Sequence, residues 1–198
     1  MLSTRKKMTV GLGLAAVAGA CGLIAGLQPT DGAELPPHTI SSSGYMVEMS
    51  LKEQFDFKGS SLAFKGVVTN VLEPRHVQVS GIEYVYTPVE VTVSKMFRGK
   101  KPADGKILLR VLGGTADNVR FEADYAPSEE ITNAGVELIA IGPDPVVVPG
   151  DGLMAMTPNG VHVVDGSELV DVSHSPHHTG HEERRVPLAQ AEAALGVR

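Results

Sequence analysis

From Leu62 onward, apolar residues recur at every second position in short runs separated by turn residues, which is the period of half-buried strands. Residues 62–72 form the first run. Residues 84–97 form the second, in which Val89, Val91 and Val93 alternate with Glu90, Thr92 and Ser94. Pro88 inside that run predicts an edge or a bulge, because proline offers no N–H to a ladder. A polar turn, RGKKPADG (98–105), follows, and Ile107, Leu109 and Val111 resume the alternation before Gly113-Gly114. Gly135 opens VELIAI, a continuous apolar run that predicts burial on both faces. Residues 153–156 and 161–164 flank Thr157-Pro158-Asn159-Gly160, and Asn-Gly predicts a hairpin between them.

Ahead of the strands, Val47, Leu51 and Phe55 recur at helical spacing with Ser42 or Ser43 as a cap. A short amphipathic helix is expected over 46–56, with Met46, Met49 and Phe55 facing the core. At the other end, Pro187 leads into Leu188, Ala191 and Leu195 on one face, predicting a short helix within 186–198. It either docks on the strands or recognises a partner. Docking is preferred, because so short a helix is marginal in water without packing. The pattern predicts a mainly β domain over 46–172, five or six antiparallel strands closed into a small barrel that removes exposed edges.

The flanks read differently. Arg5-Lys6-Lys7 precede an uncharged stretch rich in Gly and Ala at 10–27, the charge and hydropathy order of an export signal. Arg5-Lys6 is at best a variant twin-arginine pair, so the general secretory route is expected. Ala18-Gly19-Ala20 places small residues before Cys21, which resembles a lipoprotein cleavage site with Cys21 acylated, although Ala18 stands where Leu is usual. Later cleavage and an uncleaved anchor stand beside it, since 18 apolar residues suffice to span a bilayer. Residues 28–45 collect Pro, Gly, Ser and Thr without periodicity, a linker. Residues 173–185 form a His-rich flexible segment.

Charge narrows the partners. Taking Arg5, Lys6 and Lys7 from the 17 basic residues leaves 14 against 23 acidic, formally −9 for the exported part. That balance disfavours nucleic acid, whose binding needs a basic field. A local basic cluster, Lys95, Arg98, Lys100 and Lys101 with Phe97 among them, is expected to be a solvated hairpin, or at most a contact with anionic lipid headgroups. Cys21 is the single cysteine, so neither an internal disulfide nor a multi-cysteine metal site is available.

The order SSLAFKGVVTNV, TPVEVTVSKMFRGK, KILLRVLGG, GVELIAIGP resembles a widespread family of uncharacterised secreted bacterial proteins with a small OB-like β-barrel domain. The likeness covers roughly residues 46–172. It rests on packing and turn positions: Gly66 at a close strand approach, Gly99 after the long strand, Gly113-Gly114 at a turn, and Gly135 before the buried strand. After Gly135 the acidic residue and arginine of the pattern are reduced to Val136-Glu137. The resemblance implies an extracytoplasmic OB-like barrel and no catalytic residue.

Chemistry is sparse. The sequence has no G-x-S-x-G, G-x-x-x-x-G-K-[ST] or H-E-x-x-H, and Arg185 stands where the second histidine after His181-Glu182 would be. A carboxylate-pair hydrolase is one alternative, since carboxyl spacing belongs to the fold, but Asp117, Asp124, Glu129 and Glu130 read as solvated charge. Asp144 and Asp151 lack calcium-loop spacing. His162 is expected on a strand facing solvent, His76 in a turn, and His38 in the linker. His174, His177, His178 and His181 bring four of the seven histidines within eight residues. Neutral imidazoles on a Pro/Gly-bearing loop suit zinc, copper or nickel, so a metal-binding tail is the main alternative. The first expectation is a non-catalytic binding protein, tethered or secreted, contacting an extracytoplasmic protein or glycan and requiring no cofactor.

Overall fold

The computed structural model describes residues 36–42, 49–79, 81–123, 129–143, 154–155, 160–172 and 185–196. Most of the described chain is strand. Ser50 caps the first helix, α1 (Leu51–Asp56): its hydroxyl accepts from the Glu53 N–H at 3.3 Å, and the Glu53 carboxylate accepts from the Ser50 N–H at 2.7 Å. This reciprocal box satisfies two otherwise orphaned donors and starts the helix later than the periodicity predicts. The expected cap residue Ser43, and Met46, lie outside the described residues.

The main sheet is built from β2 (Leu62–Val71), β3 (Arg75–Val79), β4 (Ile82–Arg98), β5 (Lys106–Leu112), β8 (Glu137–Gly142), β9 (Met154–Ala155), β10 (Val161–Asp165), β11 (Glu168–Asp171) and β12 (Arg185–Pro187). Its pairing order is β12-β11-β10-β8-β2-β4-β5-β9, with β3 also on β4. The mainly β expectation, with one short helix before and one after, is met. The path has two ends, so no closed barrel forms among the described residues, and this sheet has nine strands, more than five or six. The edge of β11 that a closing strand would need is taken by β12, and β9 takes that of β5. Both edge strands are very short, which limits the unpaired backbone each presents.

The two strands expected to pair as a hairpin do not pair with each other among the described residues, Asn159 itself lying outside them: β9 pairs in parallel with β5, and β10 pairs with β8 and β11. The tight turn falls instead at Gly166-Ser167, between the paired Asp165 and Glu168, with Gly166 at φ 60°. Pro88 lies in an interior strand. Its carbonyl accepts from the Leu72 N–H at 2.9 Å, so its ring faces the break between β2 and β3, where no ladder donor is needed.

A second sheet joins β1 (His38–Ser42), β7 (Val119–Ala123) and β6 (Gly114–Ala116). β1 lies inside the stretch read as linker, and pairs in parallel with β7 from His38↔Val119 to Ser42↔Ala123. Ile40 on β1 packs with Val85, Val119 and Phe121.

One side of the main sheet forms the principal core, around Phe64, Val68, Val91, Leu109, Leu138 and Ala140, all at most 1% exposed. On the other side, α1 and α2 (Leu188–Gly196) cover Ala63, Ile139, Ile141 and Leu169 with Phe55, Ala191 and Leu195. β8 is therefore buried on both faces, as its continuous apolar run predicts, and the C-terminal helix docks. Gly66 is set by packing: a Cβ there would lie 2.6 Å from the Thr92 carbonyl oxygen and 2.7 Å from Val91 Cγ1. The close approach accompanies register shifts at Ala63/Phe64, Lys65/Gly66 and Val68/Asn70, bulges that bend β2 along β4.

Candidate functional site

The helices cover only part of the outer side of the sheet. Alternation along β4 sends Val89, Val91 and Val93 inward and Glu90, Thr92 and Ser94 outward, beside Thr69 of β2 and Lys106 of β5. No described helix lies over these residues, and Thr69, Thr92, Ser94 and Lys106 are exposed. They are joined across three strands. Lys106 Nζ donates to Glu90 Oε1 at 2.8 Å, Thr69 Oγ1 donates to the same oxygen at 3.1 Å, and Thr92 Oγ1 donates to Thr69 Oγ1 at 3.3 Å. The bond from Lys106 is the largest influence holding the Glu90 carboxyl below its ordinary range, and Glu90 in turn raises the Lys106 ammonium. The result is a carboxylate, an ammonium and two hydroxyls fixed on a rigid strand surface, where they can exchange hydrogen bonds with a polar partner.

The border with the helix-covered part is an ion cluster. Lys95 Nζ lies 2.5 Å from Glu192 Oε2 on α2, and Lys65 Nζ lies 3.4 Å from Glu192 Oε1 and 3.3 Å from Glu137. Lys95 also stands 5.0 Å from the Phe97 ring. Arg98 holds α1: its guanidinium stacks 3.8 Å over Phe55, and Nη1 donates to the Phe55 carbonyl and to that of Ser60 at 2.7 Å. Lys101 donates to the Val93 carbonyl at 2.7 Å. Three members of the basic cluster are thus bonded to the fold, and Lys100 is exposed. Sequence reasoning missed the partners of Lys95 and Arg98 because Glu192, Phe55 and Ser60 lie some 40 to 100 residues away in the chain.

Three histidines differ from expectation. His162 is 4% exposed: the Gln54 side-chain nitrogen donates to the Met49 carbonyl, leaving its oxygen to accept from His162 Nε2 at 3.0 Å. The helix α1 laid over β10 turns this otherwise solvent-side position into a buried one. His76 lies on β3, not in a turn, with Nε2 2.6 Å from Glu83 and Nδ1 3.6 Å from Asp117. The two carboxylates face different ring nitrogens, so they do not converge on one ion. His38 opens β1.

Asp117 has 80% of its side chain exposed and Glu130 is exposed. Asp124, Asp144 and Asp151 lie outside the described residues, as do Cys21, His174, His177, His178 and His181. Among the described residues no group of three or more His, Cys, Asp or Glu is placed to hold a metal, and no helix is long and apolar enough to cross a membrane. No protein-family model matches this chain, and no match to a curated protein was found.

Proposed function

We propose that this chain is an exported, membrane-tethered binding protein whose recognition surface is the uncovered outer face of β2, β4 and β5. Its partner is an extracytoplasmic protein or glycan, and the domain works without chemistry of its own. The observation that carries this reading is the ordered Thr92–Thr69–Glu90–Lys106 network on an exposed sheet face whose other side is core. Such a face presents donors and acceptors already fixed in place, so a polar partner pays little ordering entropy. The acidic balance agrees with a partner other than nucleic acid.

The OB-like reading belongs to the same proposal. Three irregularities bend β2, and the core-facing side of the sheet is buried with Ile131 as its one buried contributor from the 3-10 turn at Glu129–Thr132. A sheet that buries its own face in this way is strongly curled, short of closure at β12 and β9.

The test is a photo-reactive residue placed at Thr92 in cells expressing the full chain, with Lys52 on α1 as the comparison. Covalent adducts at Thr92 and none at Lys52 are expected. Adducts at Lys52 alone would move the contact to the helical side, and none at either would end the binding reading for these faces.

The second reading is metal binding by His174, His177, His178 and His181, favoured by their clustering within eight residues. Zinc, copper and nickel are the ions whose ligand preferences fit imidazole.

A further inference from the structure

The loop after α1 and the turn after β4 meet at one end of the main sheet. The Phe57 carbonyl accepts from the Ser60 N–H at 2.8 Å, the Ser60 hydroxyl donates to the Gln54 carbonyl at 2.7 Å, and Arg98 Nη1 donates to the Ser60 carbonyl at 2.7 Å. Ser60 is buried, so these bonds fix the loop from within. Gly99, at φ 85°, lies against it: a Cβ there would stand 2.5 Å from Leu62 Cδ1 and 3.2 Å from the Ser61 carbonyl oxygen. The turn therefore brings Lys100 beside the loop that carries Phe57 and Lys58. The Phe57 ring rests on Gly59, where an added Cβ would lie 3.1 Å from Cε1, and yet the residue is 52% exposed. A singly exposed apolar residue is ordinary. This one is held in place and flanked by charge of one sign.

Residues 52–61 and 98–101 carry Lys52, Lys58, Arg98, Lys100 and Lys101 against Glu53 and Asp56, in a chain whose formal net charge is −6. Asp56 is met by Lys52 and, at 3.9 Å, by Arg98 Nη2, and Glu53 accepts from the Ser50 N–H. Lys101 donates to the Val93 carbonyl. Lys58 and Lys100 are exposed and take no ion pair among the described residues. The end thus presents one apolar ring between two uncompensated ammonium groups.

We propose that this end is a contact for an anionic phospholipid bilayer, with Phe57 entering the acyl boundary and Lys58 and Lys100 meeting the lipid phosphates. A stable protein interface needs about 800 Å² on each side and is depleted of lysine at its core. Lys58, Gly59, Ser61, Gly99 and Lys100 offer no second apolar anchor for one. A bilayer asks only for an apolar tip whose neighbouring lysines stay at the phosphate level. So few groups suffice when a tether raises the effective lipid concentration, and to that extent the inference rests on the membrane-tethered reading above. None of these residues belongs to the Thr92–Thr69–Glu90–Lys106 network.

The sequence contains no tryptophan, so Phe57→Trp carries a single indole. Ile82→Trp is the reference, 68% exposed and at the far end of β4, whose 17 residues span about 50 Å. Both full-length variants are floated with vesicles of phosphatidylcholine, alone or with phosphatidylglycerol added, and read by fluorescence with brominated acyl chains as quencher. Flotation is expected in both lipids. With phosphatidylglycerol, Phe57→Trp should shift to the blue and be quenched at least twofold more strongly, whereas Ile82→Trp should not change. Adding Lys58→Glu and Lys100→Glu, or high salt, should abolish the gain. Flotation without a phosphatidylglycerol effect at position 57, or an effect that survives both lysine substitutions, would overturn the contact and leave the tether intact. Failure to float in either lipid would overturn the tethered reading and this inference with it.

Discussion

His162 Nε2 on β10 and Gln54 Oε1 on α1 lie 3.0 Å apart, a buried hydrogen bond that ties the first helix to a strand 108 residues later in the chain. Both side chains are 4% exposed, so neither can exchange its partner for water. Removing one leaves a buried polar atom unsatisfied, at a cost of roughly 1–3 kcal/mol. His162→Ala and Gln54→Ala should each lower the urea midpoint by that measure. The double variant should cost less than the sum, with a coupling of at least about 0.5 kcal/mol. Strict additivity would show that the two side chains stabilise the fold independently.

Gly66 offers a sharper steric test. The Thr92 carbonyl oxygen, 2.6 Å from where a Cβ would stand, is backbone in the middle of β4 and cannot rotate away. Gly66→Ala should destabilise by about 1–3 kcal/mol, in line with the overpacking of a close-packed interior. Thermal melting checks it. A melting temperature equal to wild type would mean that the strands separate more easily than their spacing implies.

Gly66 is also a position whose role is readable in the sequence, and the contrast with what is not readable has a physical basis. The strands β2, β4, β5 and β8 announce themselves because half or all of their side chains are buried, and burial imposes a local period. β1, β6 and β7 are short, and HTISS or GTA carries too few apolar residues to establish one. The parallel pairing of β1 with β7 joins residues some 80 positions apart, which no local pattern encodes. The candidate surface was half legible. The alternation fixed Glu90 and Thr92 as outward, but their bonds to Lys106 and Thr69 depend on strand register. The solvent-side expectation for His162 failed for a related reason, since the covering helix lies elsewhere in the chain.

The ion cluster at the edge of that surface predicts a pH dependence. The Lys95 hydrogen bond is the largest influence lowering the Glu192 carboxyl, with Lys65 adding to it and burial opposing it. Because the folded value lies below the unfolded one, the stabilisation is fully present above the ordinary glutamate range and is lost as pH falls through the folded value. Glu192→Gln should therefore cost up to about 1 kcal/mol at neutral pH, the scale of a surface ion pair. The difference from wild type should vanish in acid below the usual carboxylate range. Chemical denaturation at a series of pH values reads it directly, and a gap that persists in strong acid would assign the effect to packing of α2 rather than to charge.

The His-rich tail requires a test that respects the docked C-terminal helix. Ending the chain at Val172 would remove α2 and uncover Ala63, Ile139, Ile141 and Leu169, so a loss of metal binding would not distinguish missing ligands from a damaged fold. Replacing His174, His177, His178 and His181 together by serine in the full chain removes the imidazoles and leaves Ala191 and Leu195 to pack. If the tail binds metal, calorimetric titration of zinc or copper into the unsubstituted chain should give micromolar or tighter affinity, weakened at least tenfold by the four substitutions. Binding should also weaken as pH falls toward about 6, where protons compete for imidazole nitrogen. Equal heats for the two chains would assign the histidines to a solvated connection between β11 and β12, leaving the polar sheet face to carry the binding function.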